Sequence, residues 1–215
     1  MRKIAVIFLL MSVGHGVYGQ ELTKGLIIKG RDTAYVDFKI PINTLSDKIN
    51  YSKIQRKIKY YDVSGRKNVV KSADANEIIF YHKDDTIRML THIDPIMVPC
   101  EMCKTRYIFL ELIIDGKMRL FKYYDPGGRG NGMSTGVGGA IALSALSGNV
   151  VSPSKNSFDY YFQKGTDKIF SPGFRYKKEM IEYFTDCDIV VKEMKNNKFH
   201  KMQELVKLYN ANCGD

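Results

Sequence analysis

Cys100-Glu101-Met102-Cys103 has the spacing of thiol–disulfide exchange, in which one thiolate attacks a disulfide and the second resolves the mixed intermediate. Such a thiolate needs a helix N-terminus or a nearby cation to stabilise it. Here Val98-Pro99 precedes the pair, Glu101 sits inside it, and a strand-like run follows. The expected role of Cys100 and Cys103 is therefore a small loop disulfide, with redox exchange as the alternative. A zinc ion would need His82 and His92 beside the pair to complete four ligands. A hairpin reversing at Asp84-Asp85 puts His92 opposite about Glu77, roughly 16 Å along the strand from His82, so no metal is expected.

Glu111 stands inside an apolar run, a setting that can raise a carboxyl pKa for acid–base work. A two-residue turn at Asp115-Gly116 would pair Ile114 with Lys117, Glu111 with Leu120 and Phe109 with Lys122. In that register Lys122 lies diagonally across from Glu111, and a cross-strand ion pair on a solvated face accounts for both. His200 has no convincing serine or cysteine nucleophile to serve, and there is no G-x-S-x-G elbow. Gly130-x-Gly132-x-x-x-Gly136 glances at a dinucleotide fingerprint, but it lacks the strand–turn–helix setting, and Pro153 falls before Asp159. No cofactor is expected.

The elements that must position these residues are mostly strands. Runs such as GLIIKG, TAYVDFKI, RKIKYYD, NEIIFYHK, DTIRML, RYIFLELIID and KMRLFKYY are short, rich in β-branched and aromatic residues, and separated by turn signals. They make residues 20–125 an antiparallel β body, a sandwich or an open barrel. Ile108, Leu110, Leu112 and Ile114 share one side of their strand and are the expected core face. Residues 126–157 are dense in glycine and serine, whose backbone entropy disfavours regular structure, and read as a flexible loop. Residues 158–171 return to the β body through FDYYFQKG and a turn at Lys164-Gly165-Thr166-Asp167.

Helical periodicity governs 172–215. Tyr176, Met180, Tyr183 or Phe184, and Cys187 recur at helical spacing, and a second segment runs from Asp188 to about Lys195. After Asn196-Asn197 a last helix puts Phe199, Met202, Leu205, Val206 and Tyr209 on one stripe that Cys213 extends. A reversal at the asparagines makes these helices antiparallel and brings Cys187 beside Cys213. Closing about 27 residues with a Cys187–Cys213 bridge would stabilise by roughly 3.5 kcal/mol in the chain-entropy picture. Strands followed by segregated helices predict an α+β fold, a β-rich body closed by a C-terminal helical hairpin.

The first residues supply an address. Arg2 and Lys3 precede an apolar run from Ile4 to Val13, and small residues around Val17 and Gly19 fit a signal-peptidase site between Gly19 and Gln20. Residues 1–19 are expected to be a secretory signal, too short in its apolar part to span a bilayer. No cysteine lies close enough for lipidation, so a soluble periplasmic or extracellular protein is expected, with no transmembrane segment after the signal. Removing Arg2 and Lys3 takes the formal charge from +10 to +8. Lysines scattered along the sequence predict a solvated basic surface rather than a nucleic-acid stripe.

In the order of its parts the chain resembles a loosely defined group of exported Bacteroidota proteins. They share a strand pair like GLIIKGRDTAYVDFKI, a hairpin like YIFLELIIDGKMRLFKYY, a glycine-rich insertion, a strand like FDYYFQKG and helices reading FRYKKEMIEYFTDCDIVVKEM and LVKLYNANC. The resemblance lends no catalytic residues, and supports joining Cys187 to Cys213. Together these readings favour a non-enzymatic envelope module with a glycan or protein as partner. The alternatives are an oxidoreductase using Cys100 and Cys103, or another periplasmic enzyme.

Overall fold

The structure, a computed structural model, describes residues 18–43, 46–94, 106–124, 158–172, 176–196 and 202–213. Among the described residues ten antiparallel strands form one open sheet. They are β1 (Tyr18–Lys29), β2 (Asp32–Asn43), β3 (Lys48–Ile49), β4 (Lys57–Tyr61), β5 (Lys67–Lys71), β6 (Glu77–His82), β7 (Asp85–Ile93), β8 (Tyr107–Ile114), β9 (Met118–Tyr124) and β10 (Phe158–Lys164). Their order is β10-β9-β8-β7-β6-β1-β2-β4-β5, with β3 paired to β2. Three helices follow, α1 (Tyr176–Tyr183), α2 (Asp188–Lys195) and α3 (Met202–Asn212). The architecture is α+β, as expected. β5 went unread in the sequence because Lys67 and Lys71 flank its short apolar centre.

The sheet is curled. Gln55, just before β4, accepts a hydrogen bond from the Phe109 backbone of β8, and Ser72, just after β5, donates to the Tyr107 carbonyl. This curl gives the sheet an inner face that closes over Phe38, Ile40, Ile58, Ile78, Phe80, Met89 and Phe109. Each such aliphatic or aromatic side chain contributes about 1.5–3 kcal/mol on burial. At Gly25 in the middle of β1, a Cβ would lie 2.3 Å from the Ile79 carbonyl oxygen and 2.7 Å from the Phe38 ring. Glycine is needed there so that Phe38 can lie against the strand.

Further along the same face, the helices cover β9 and β10. Leu120, Phe162, Met180, Phe184, Val190, Met194, Leu205, Val206 and Tyr209 form a second core. A third lies on the outer face, where Ile108, Leu110, Phe121, Tyr123 and Tyr161 pack together. The expected core face of β8 is thus half the answer. Ile108 and Leu110 are buried on the outer side, while Phe109 is fully buried on the inner side.

The β8–β9 register also differs from expectation. Glu111 pairs with Lys122 and Leu112 with Phe121, then a bulge shifts the register so that Ile114 pairs with Leu120. The extra residue lets both Ile113 and Ile114 pack against the helical core. Of the other two turns, the one at Gly165 follows the sequence, with φ 48° and Phe170 pairing back to Phe162. The β6–β7 hairpin instead reverses at Lys83-Asp84 rather than Asp84-Asp85, so that His82 pairs with Asp85, Lys83 takes φ 55° and the register moves by two residues.

Candidate functional site

Glu111 is the chemically most distinctive group on the inner face. The register puts it with Lys122, Tyr124 and Tyr160 in a polar seam between the two inner cores. Tyr124 donates its hydroxyl hydrogen to Glu111 Oε2, and Tyr51 reaches the same carboxylate while its ring stacks on that of Tyr124 at 4.3 Å. Burial raises the Glu111 pKa, against the opposing pull of both hydroxyls and of Lys122. Burial beside that carboxylate pushes both tyrosine hydroxyls up as well. The expected solvated Glu111–Lys122 pair is therefore corrected. The two residues are register partners rather than diagonal neighbours, the Lys122 ammonium lies over the Phe158 ring 4.8 Å from its centre, and the carboxylate is largely enclosed. A carboxylate held by two phenols that cannot readily ionise has the makings of a proton store, yet its acceptor sites are engaged by the fold itself.

The ends of β9 are fixed by two side-chain amides. Asn210 of α3 accepts from the Met118 N–H at 2.7 Å and donates to the Met118 carbonyl at 2.9 Å. At the other end Gln55, turned as its neighbours require, donates to the Tyr124 carbonyl at 2.5 Å and accepts from the Tyr124 N–H at 3.1 Å. Neither amide was picked out by sequence reasoning, since a single Asn or Gln carries no periodic signal.

Cys187 and Cys213 form a disulfide with their Cα atoms 5.7 Å apart. It ties the start of α2 to the end of α3, and Cys187 is buried in the helical core. Close by, Lys164 donates to Asp186 at 2.5 Å, and Tyr209 donates to the other carboxylate oxygen at 2.6 Å. Cys100 and Cys103 lie outside the described residues, as do 126–157, Phe199 and His200. Gly19 and Gln20 stand in β1, opposite Ile42 and Pro41.

The histidines are kept apart by more than length. His82 is on the inner face, 3.2 Å from Glu21, whereas His92 is on the outer face against the Phe121 ring. Leu90, not His92, pairs with Glu77. Among the described residues no group of three or more His, Cys, Asp or Glu side chains could hold a metal ion. Burial, helped by Arg119, pushes His92 down to about 4. An open hollow of about 330 Å³ lies beside Ile27, Tyr60 and Val70, with Asp32 and Asp74 in its lining.

The outer face differs from end to end. On β6–β9 it is laced by ion pairs, with Arg88 bonded to Glu77 at 2.6 Å and to Asp115 at 2.9 Å, and Arg119 bonded to Asp115 at 3.1 Å. On β6, β1 and β2 it carries Tyr81 and Tyr35, which are 47% and 73% exposed. No match to this chain is found among protein-family models, curated proteins or solved structures. No helix among the described residues is long and apolar enough to cross a membrane.

Proposed function

We propose that this is a non-enzymatic exported protein that binds a partner at the cell envelope, a glycan or another protein. The observation that carries the reading is the outer face of β6, β1 and β2, where Tyr35 and Tyr81 stand exposed on a regular sheet. A tyrosine offers apolar area with a polar tip and freezes few rotamers on binding, which suits recognition surfaces. The signal-like residues 1–19 and the Cys187–Cys213 bridge support an oxidising destination. By contrast, the Glu111 carboxylate is occupied by Tyr51 and Tyr124, an arrangement that suits architecture better than turnover.

The test is retention. Purified protein mixed with washed envelope fractions should sediment with them, and Tyr35→Ser with Tyr81→Ser should sediment less while melting at the same temperature. No sedimentation would overturn the reading. So would catalysis of insulin reduction that is lost in Cys100→Ser with Cys103→Ser, which would make the protein an oxidoreductase.

A further inference from the structure

The strand register gathers lysines that the sequence scatters. Lys39 of β2 lies directly opposite Lys59 of β4, and Lys57 of β4 directly opposite Lys71 of β5. All four are on the outer face, because the residues that alternate with them, Phe38, Ile40, Ile58 and Val70, are in the inner core. Two consecutive like-charged cross-strand pairs are unusual, since side chains so placed are about 5 Å apart at Cβ and repel one another. Among the described residues none of the four has a carboxylate within ion-pair distance, in contrast to the paired arginines of β7 and β9 on the same face. The acid within the patch is Asp37, whose register partners are Lys24 and Tyr61. Rings flank the cations: Tyr61 is next to Lys59 on its face of β4, and Tyr35 lies beyond Asp37 on β2, about 13 Å from Lys39 along the strand.

We infer that this face of β2, β4 and β5 binds an acidic polysaccharide, its carboxylate or sulfate groups on Lys39, Lys57, Lys59 and Lys71 and its sugar rings on Tyr61 and Tyr35. The repulsion that the lysines suffer in the free protein is relieved by the ligand, so binding is favoured by charge complementarity. The cations are interleaved with exposed rings, Tyr35 being 73% exposed, and a tyrosine ring gives a sugar apolar area with a polar tip to lie against. A thin polymer can settle between the lysines and lie against the rings. The inference rests on the envelope-binding reading and gives it a ligand class and an address.

Calorimetric titration of the full chain with a polyuronate and with a sulfated glycosaminoglycan tests it, with neutral dextran and phosphatidylglycerol vesicles in parallel arms. Both acidic glycans should bind and dextran should not. Lys39→Gln with Lys59→Gln should weaken binding at least tenfold, and Tyr35→Ser about fivefold. Lys178→Gln with Lys192→Gln on the helices should leave binding unchanged. The β2–β4 double variant should melt no lower than the parent, since it removes a repulsion. Loss of fold therefore cannot imitate loss of binding. Equal or tighter binding to the vesicles, indifference to Tyr35→Ser, or no glycan binding would overturn the inference. If the glycans fail while envelope sedimentation persists, this inference falls alone. If sedimentation fails too, the broader reading falls with it.

Discussion

Asn210 on α3 hydrogen-bonds both the N–H and the carbonyl of Met118, so a helix side chain takes the place of a neighbouring strand where β9 begins. Gly116 permits the approach. A Cβ there would come within 2.7 Å of the Asn210 amide nitrogen, and its φ of 155° disfavours other residues. Gln55 does the same for Tyr124 at the other end of the strand. β9 is thus held at both tips by amides far from it in sequence.

Asn210→Leu should cost about 2–4 kcal/mol, because two backbone groups of the fully buried Met118 lose their partners. Asn210→Gln should recover little of this, since its longer side chain displaces the amide from Met118. Urea denaturation followed by circular dichroism measures both. A loss under about 0.5 kcal/mol for Asn210→Leu would show that the amide is not holding the strand.

The Cys187–Cys213 bridge closes a loop with a sequence separation of 26, so its removal should cost roughly 3.5 kcal/mol. Replacing both cysteines by serine should lower the melting temperature by several degrees and loosen the helices first, seen as faster amide exchange in α2 and α3 than in β1 and β2. Peptide mapping of the oxidised protein should join the fragments that hold Cys187 and Cys213. Uniform exchange changes across the sheet would contradict a local role.

His92 sets an acid limit. Its folded pKa of about 4 lies below the ordinary 6.5, because burial against Phe121 and the nearby Arg119 disfavour the cation. Between those values the unfolded chain takes up a proton that the folded chain refuses. Stability contributed by the neutral ring is therefore complete above about pH 6.5 and falls as the pH drops toward 4. His92→Gln should flatten that part of the stability–pH curve. An unchanged slope would remove His92 from the account.

Glu111 has the opposite sign. Its folded pKa is raised, so the protonated form is favoured by the fold, and ionisation above the unfolded pKa costs stability. Glu111→Gln keeps an acceptor for the Tyr51 and Tyr124 hydroxyls while removing the buried charge. It should stabilise the protein at pH 7 and change little at pH 4, by chemical denaturation at the two pH values. Destabilisation at pH 7 would mean that the attraction of Lys122 and the two hydroxyl hydrogen bonds outweigh burial.

Local signals account for what was legible in the sequence. Period-two alternation marked most strands, helical stripes marked α1 to α3, and the antiparallel reversal placed Cys187 beside Cys213. The remainder is decided at a distance. The bulge in β8 arises because Ile113 and Ile114 both pack under helices that come later in the chain, which Asp115-Gly116 cannot announce. Glu111 read as solvated because Tyr51 arrives from a connection between β3 and β4. The lysines read as scattered because the β2–β4–β5 register, not their spacing, sets them side by side.

The place of β1 in the strand order carries a consequence for how the chain assembles. Among the described residues it is the first strand in sequence, yet it is interior to the sheet, bordered by β2 and β6. A chain delivered N-terminus first can zip β1 to β2 at once as a hairpin, from Lys29–Asp32 back to Tyr18–Asn43. The other edge of β1 must wait, with its backbone groups unmet, until Phe80 arrives opposite Gly25. During that interval the nascent hairpin is the species most open to wrong pairing, and a holding chaperone would act there to best effect.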